Sequence, residues 1–153
     1  SGEEIPADIV VTATGLDLLF MGGLELTVDG APFDPASARI FKGMMLEGVP
    51  NLFSIFGYTN ASWTLKADLS AEYICRLLNH MKRAHLETAT PRASDNTGDR
   101  APLLDFTSGY VQRAMTRFPK QGARRPWRMH QNYVLDLWDL KHRPVADGEL
   151  DLA

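Results

Sequence analysis

The chain has 153 residues, of which 44% are hydrophobic and 23% charged, with a formal net charge of −3; this is the composition of one globular domain able to bury a core. No apolar run approaches the roughly 20 residues of a membrane-spanning helix. The first residues, SGEEIPADIVV, lack the basic-then-apolar order of a secretory leader. They also lack an initiator Met and start abruptly on polar residues, so a cut inside a longer chain is expected. Cys75 is the only cysteine, which excludes an internal disulfide and fits a reducing, cytoplasmic setting. It falls among apolar residues at helical spacing and is expected to be a buried, inert thiol.

In chain order, Ile9-Val10-Val11-Thr12-Ala13 is β-branched and almost continuously apolar. It predicts a strand buried on both faces, as in a parallel sheet. Thr14-Gly15 ends it. Leu24 to Val28 alternates, and Asp29-Gly30 supplies the turn of a hairpin whose second arm, around Ala31-Pro32-Phe33, is weakened by Pro32. Ala38 to Met45 holds a further short strand limited by Gly43, and Leu52 to Phe56 another, closed by Gly57. Thr64 to Met81 is the strongest helix, with Ala67, Ala71, Ile74, Leu78 and Met81 at steps of three and four and Cys75 and Leu77 widening the stripe. Residues 88–100, TATPRASDNTGDR, read as a polar loop. Ser108 caps a helix running to Phe118, where Pro119 stops it; its apolar face is Tyr110, Val111, Ala114, Met115 and Phe118. Asn132 to Lys141 is the third helix, with Val134, Leu137, Trp138 and Lys141 in register, and the last ten residues are expected to fray.

Most sites with a recognisable spacing are missing. His80, His85, His130 and His142 form no metal-ligand pattern, so no metal is expected. There is no Gly-x-Ser-x-Gly, no Walker motif and no GxGxxG; no two of the 12 glycines stand two apart. A complete dinucleotide-binding βαβ unit is therefore not expected in this chain. Arg113, Arg117, Lys120, Arg124, Arg125 and Arg128 make a basic run without an acid. No nucleic-acid motif accompanies it, so a solvated face with acidic neighbours is the favoured reading and no nucleic acid is expected. Two stretches remain. Thr12-Ala13-Thr14-Gly15 carries small side chains on which a backbone or flat ligand can approach closely. Gly57-Tyr58-Thr59-Asn60-Ala61-Ser62 precedes a helix whose first N–H groups lack intrahelical partners and whose dipole is positive there. That arrangement favours a phosphate or an electron-rich ring edge. From the residues alone, an ordinary N-cap at Asn60, Ser62 or Thr64 ranks first.

Taken together, ADIVVTATGL, FKGMMLEGVPNLFSIFGYTNASWTLKADLSAEYICRLLNHM, DFTSGYVQRAMTRFPKQG and RRPWRMHQNYVLDLWDLK cover nearly the whole chain. They closely resemble the C-terminal portion of class B flavoprotein monooxygenases, in particular the Baeyer–Villiger branch. The resemblance implies an α/β fold: the C-terminal part of a two-dinucleotide-binding-domain flavoprotein, with a Rossmann-like FAD domain and a helical C-terminal tail. It divides the chain into residues 1–83 of the FAD domain, a linker at 84–106 and a helical extension at 107–153. FAD and NADPH are the implied cofactors, with the NADPH site outside this chain. The implied chemistry uses O2 and a flavin C4a-peroxide to insert one oxygen atom into a ketone or to oxidise a sulfur or nitrogen centre, including thioethers and thioamides. Thr12, Ala13, Thr14 and Gly15 would be a flavin-domain motif. Gly57, Tyr58, Thr59, Asn60, Ala61 and Ser62 would lie beside the flavin and ribityl chain. The catalytic region is implied to lie upstream, so no catalytic residue is assigned and the chain alone is expected to be inactive. Many two-domain flavoproteins carry Asp directly after the strand-end Gly; Tyr58 stands here, which leaves that contact to backbone N–H groups or Asn60. The alternative is a non-catalytic interaction module with a basic helical tail. As a fragment the chain is expected to expose apolar faces and self-associate. A native homo-oligomer and membrane-surface association are left open.

Overall fold

The computed structural model describes residues 2–94, 97–104 and 107–153. Ser1 lies outside the described residues, as do Asp95, Asn96, Asp105 and Phe106 of the expected linker. The first ladder is the expected hairpin: β1 (Leu26–Val28) pairs antiparallel with β2 (Ala31–Phe33), Val28 opposite Ala31. Asp29 and Gly30 both take positive φ, 52° and 81°, the turn geometry whose twist matches the flanking strands. Ala38 to Met45, expected as one short strand, instead contains a second hairpin. β3 (Ile40–Phe41) and β4 (Met45–Leu46) pair across Lys42 and Gly43, which have φ of 50° and 73°. Gly43 therefore sits in the turn itself.

This second hairpin separates two cores. Side chains alternate faces along a strand, so opposite partners share a face. Ile40 and Leu46 join Phe20, Val49, Leu103, Val111, Met115 and Phe118. Phe41 and Met45 point the other way, into a core with Leu69, Tyr73, Leu77, Met81, Trp127 and Leu140.

The described residues form four separate two-stranded antiparallel ladders. Among the described residues the one parallel pairing is an isolated bridge between Arg39 and Lys120. The expected strand at 9–13 forms no ladder, and Ile9, Val10 and Val11 are 81%, 78% and 84% exposed. Burial on both faces requires neighbouring strands, and the described residues provide none there. The segment Leu52–Phe56 likewise forms no strand. It is held at points, by Asn51 N–H on the Ala89 carbonyl at 3.0 Å and Ser54 N–H on the Met44 carbonyl at 2.7 Å.

The long helix is present as α1 (Trp63–Ala84), closed by His85 in the left-handed conformation. Its buried side, however, is Lys66, Leu69, Ser70, Tyr73, Leu77 and Met81. The expected stripe is turned by one residue: Leu78 and Cys75 are exposed, so the thiol is not buried. α2 (Gly109–Ala114) follows Ser108 but stops four residues short of the expected end at Phe118, and the Ser108 side chain does not cap it; Val111 and Ala114 on the helix, and Met115 and Phe118 after it, are buried as expected. α3 (Tyr133–Leu137) continues into a π-helical turn, Trp138–His142. Its orientation reverses the expectation: Asp136, Asp139 and Leu140 are buried, while Val134 and Trp138 are 70% and 61% exposed.

The polar stretch read as a loop contains β5 (Ala89–Pro91), which pairs antiparallel with β8 (Leu150–Leu152). The end of the chain is thus a paired strand, with Leu150 buried, and not a frayed tail. The remaining ladder joins β6 (Ala101–Pro102) to β7 (Lys120–Gln121). No helix among the described residues is long and apolar enough to cross a membrane. Part of the basic run is paired internally. Arg117 meets Asp17, Arg124 meets Glu149 at 2.9 Å, and Lys120 donates to the Met115 carbonyl at 2.6 Å.

Candidate functional site

Residues 57–62 leave the Leu52–Phe56 segment and turn directly into α1. Gly57 and Tyr58 are buried, whereas Thr59 to Ser62 are exposed. A Cβ on Gly57 would lie 2.1 Å from the Trp63 ring. Glycine is therefore required there for the indole to fold back over the loop, where it meets Phe56 with ring centroids 5.1 Å apart. Gly57→Ala is expected to push the indole outward; a red shift of Trp63 emission relative to a Trp63→Phe control checks it.

None of the three expected capping side chains caps α1. Ser62 occupies the N-cap position, but its hydroxyl bonds that of Thr64 at 2.8 Å. The Asn60 amide donates to the Gln131 carbonyl at 3.1 Å. The first turn of α1 also holds no acidic residue. Leu65 N–H bonds the Ser62 carbonyl at 3.3 Å; among the described residues no side-chain oxygen caps the turn and no carboxylate within it neutralises the dipole.

The loop is held from behind by the tail. Thr59 N–H and Thr59 Oγ1 both donate to Gln131 Oε1, at 3.0 and 3.2 Å. Tyr58 Oη donates to Asp136 Oδ2 at 2.7 Å, and the same oxygen is 2.9 Å from Lys66 Nζ. Burial pushes the Tyr58 hydroxyl well above its ordinary value, and the Asp136 bond adds to this, so it stays protonated and donating. Burial lowers Lys66, with Asp136 opposing that shift. Beside them, Lys42 Nζ is 2.9 Å from Asp147 and 3.9 Å from Asp139. Sequence reading missed Lys66, Gln131 and Asp136. The signal for Lys66 was its place on the face of Leu69, Tyr73 and Leu77, where a charge needs a buried partner.

Thr12 to Gly15 are exposed. A Cβ on Gly15 would approach the Tyr110 side chain at 3.2 Å, so this stretch rests against α2. An apolar cavity of about 310 Å³ is lined by neighbours of the two candidate stretches and by neither stretch itself. On one side, Leu18 to Met21 follow Gly15; on the other stand Phe56 and Trp63, which bracket residues 57–62. Among the described residues no group of three His, Cys, Asp or Glu is arranged to hold a metal.

Known proteins match this chain from end to end. It is 46% identical over all 153 residues to the FAD-containing monooxygenase EthA of Mycobacterium tuberculosis. It is 47% identical over 154 aligned residues to the putative FAD-containing monooxygenase MymA of the same organism. Over 156 aligned residues, covering 98% of the chain, it is 43% identical to the probable FAD-binding monooxygenase AlmA of Acinetobacter baylyi. The chain is a relative of the FAD-containing monooxygenases. It spans about a third of the length of these relatives, 30–31%. No family model and no solved structure matches it.

The donor set at the start of α1 fits one edge of an FAD. The fit rests on the uncapped helix start without an acid and on the paired hydroxyls of Ser62 and Thr64. An electron-rich ring edge or an anion is the ligand that such donors favour.

Proposed function

We propose that this chain works as the C-terminal part of an FAD- and NADPH-dependent monooxygenase of the Baeyer–Villiger type. In this reading Thr12–Gly15 and Gly57–Ser62 form one wall of the FAD site. The NADPH site and the catalytic region belong to other parts of the polypeptide. The observation that carries it is the end-to-end identity of 43–47% with proteins named for FAD-containing or FAD-binding monooxygenases. The exposure of Ile9, Val10 and Val11 supports it, because such a strand gains its burial from neighbouring strands. Those neighbours would complete a Rossmann-like sheet, with residues 1–83 in the FAD domain, 84–106 as the connection and 107–153 packed back as a helical extension.

Bound FAD would supply the redox chemistry, reduced by NADPH and passing one atom of O2 to a ketone or to a sulfur or nitrogen centre, thioethers and thioamides included. The chain's own part is narrower. The α1 N-terminus would turn its positive dipole towards a reduced ring and so stabilise negative charge there. The apolar cavity beside Trp63 keeps water away from that edge. A cytoplasmic location belongs to the same proposal.

Titration with FAD tests this reading. The chain alone is expected to bind FAD weakly or not at all, and the polypeptide that includes its preceding coding region to bind one FAD tightly. The longer protein should also consume NADPH and O2 with a ketone or thioether. Stoichiometric, tightly held, yellow flavin on the chain alone would overturn the incomplete-site reading. A longer protein without flavin would overturn the function.

A further inference from the structure

The tail residues that touch the loop do so in one direction. Tyr58 Oη, Thr59 N–H, Thr59 Oγ1 and the Asn60 amide all donate, and all their acceptors lie on residues 131–136. Gln131 supplies both of its oxygens, the side-chain one to Thr59 and the carbonyl to Asn60. It does so from a left-handed backbone, φ 50°, a conformation that costs a non-glycine residue energy unless its surroundings hold it. Asn132 then fixes the start of α3, its Oδ1 accepting from Leu135 N–H at 3.1 Å. That start places Asp136 under Tyr58 and against Lys66.

These bonds divide the loop. Tyr58, Thr59 and Asn60 spend their donors on the tail. Ser62 instead pairs its hydroxyl with that of Thr64, and Lys66, at the end of the first turn of α1, returns to the tail through Asp136. We propose that Gln131 is a positioning residue for the cofactor loop. It holds Thr59 and Asn60 so that the α1 N-terminus is set at a fixed angle for the ring edge. The proposal rests on the flavin-facing reading above and narrows it: of the six loop residues, 58–60 are held by protein and 61–62 are presented to the ligand. A consequence is that the tail controls cofactor affinity without touching the cofactor.

The test uses the full-length polypeptide carrying this chain, freed of flavin and titrated with FAD by fluorescence quenching. Thermal unfolding of each apo-protein is measured in parallel. Gln131→Ala is expected to weaken FAD about tenfold, since two loop bonds lose their acceptor, with the apo Tm within about 2 °C of the parent. Gln131→Glu keeps an acceptor oxygen and is expected to restore most of the affinity. Ala61→Glu places a carboxylate at the α1 N-terminus; it should weaken FAD while leaving the apo Tm equal or higher. If Ala61→Glu weakens binding and Gln131→Ala does not, the positioning role is overturned and the flavin-facing loop stands. If neither changes affinity, the flavin-facing reading fails and takes this proposal with it. If the apo Tm of Gln131→Ala falls together with its affinity, and Gln131→Glu restores both in step, the residue is structural and the proposal is overturned.

Discussion

Replacing Asp136 by Ala is expected to lower the unfolding free energy by about 3–5 kcal/mol, because it strands a buried lysine. The Lys66 and Asp136 side chains are only 4% and 9% exposed, and their charged atoms are 2.9 Å apart. The same change removes the acceptor of the Tyr58 hydroxyl. Urea unfolding measures the loss directly. It should also have a pH signature. Burial already holds Lys66 below its ordinary value of 10.5, with Asp136 the leading influence in the other direction. Without Asp136 the folded lysine releases its proton more readily still. Between the lowered folded value and 10.5 the unfolded chain binds more protons than the folded one, so stability rises with pH across that window. The variant's deficit should therefore shrink as pH climbs from neutrality towards 10.5, more steeply than any change in the parent. Replacing both partners, Lys66→Met with Asp136→Leu, should recover most of the loss, since neither charge of this pair is then left buried alone. A loss below about 1 kcal/mol for Asp136→Ala would mean that Lys66 reaches water, and the buried pair would have to be abandoned.

Trp127→Ala is expected to cost a similar amount, about 3–5 kcal/mol, by opening a cavity in the second core. The Trp127 side chain is fully buried, meets Phe41 edge to face at 5.3 Å and donates its indole N–H to Glu149 Oε2 at 2.6 Å. Glu149 also holds Arg124 and Ser94, so the indole sits beneath the contacts joining residues 94, 124 and 149. Trp127→Phe keeps much of the ring packing and loses the indole bond, and should cost about 1–3 kcal/mol. Equal losses for the two variants would assign the effect to the hydrogen bond; a clear gap between them assigns it to packing. Because Trp63 stands against Phe56 and beside Phe20 and Phe118, apart from the second core that holds Trp127, Trp127→Ala should leave the Trp63 environment unchanged, which near-ultraviolet circular dichroism can follow.

Local chemistry was enough to place some elements. α1 was legible because a run of 22 residues without Gly or Pro repeats its apolar positions at helical spacing. The first hairpin was legible because Asp-Gly accepts positive φ at both turn positions. For the candidate site, the sequence located the loop at the start of α1 and the small residues at 12–15. It did not show what holds them. Gln131 follows the loop by some seventy residues, and nothing about a glutamine in RMHQNY distinguishes a clamp from a surface side chain.

Apolar spacing and turn chemistry act within a few residues, and they specified α1 and the Asp29-Gly30 turn without help from the rest of the chain. Which side of a helix turned inward was decided only by the tertiary structure. On α1 the inner face includes Lys66, Ser70 and Tyr73, and along α3 and the π-helical turn after it Asp136 and Asp139 are buried, while Val134 and Trp138 stand outside. Burying a charge or a phenol is costly without a partner, and for two of these residues the partner comes from the other end of the chain: Asp136 for Lys66 and the Val145 carbonyl for Tyr73. The pairing of β5 with β8 was hidden for the same reason, because Ala89-Thr90-Pro91 has no strand pattern of its own and gains one only against residues 150–152. The strand expected at residues 9–13 is the converse. Its pattern specifies burial on two faces, and among the described residues no partner strand is present to provide it.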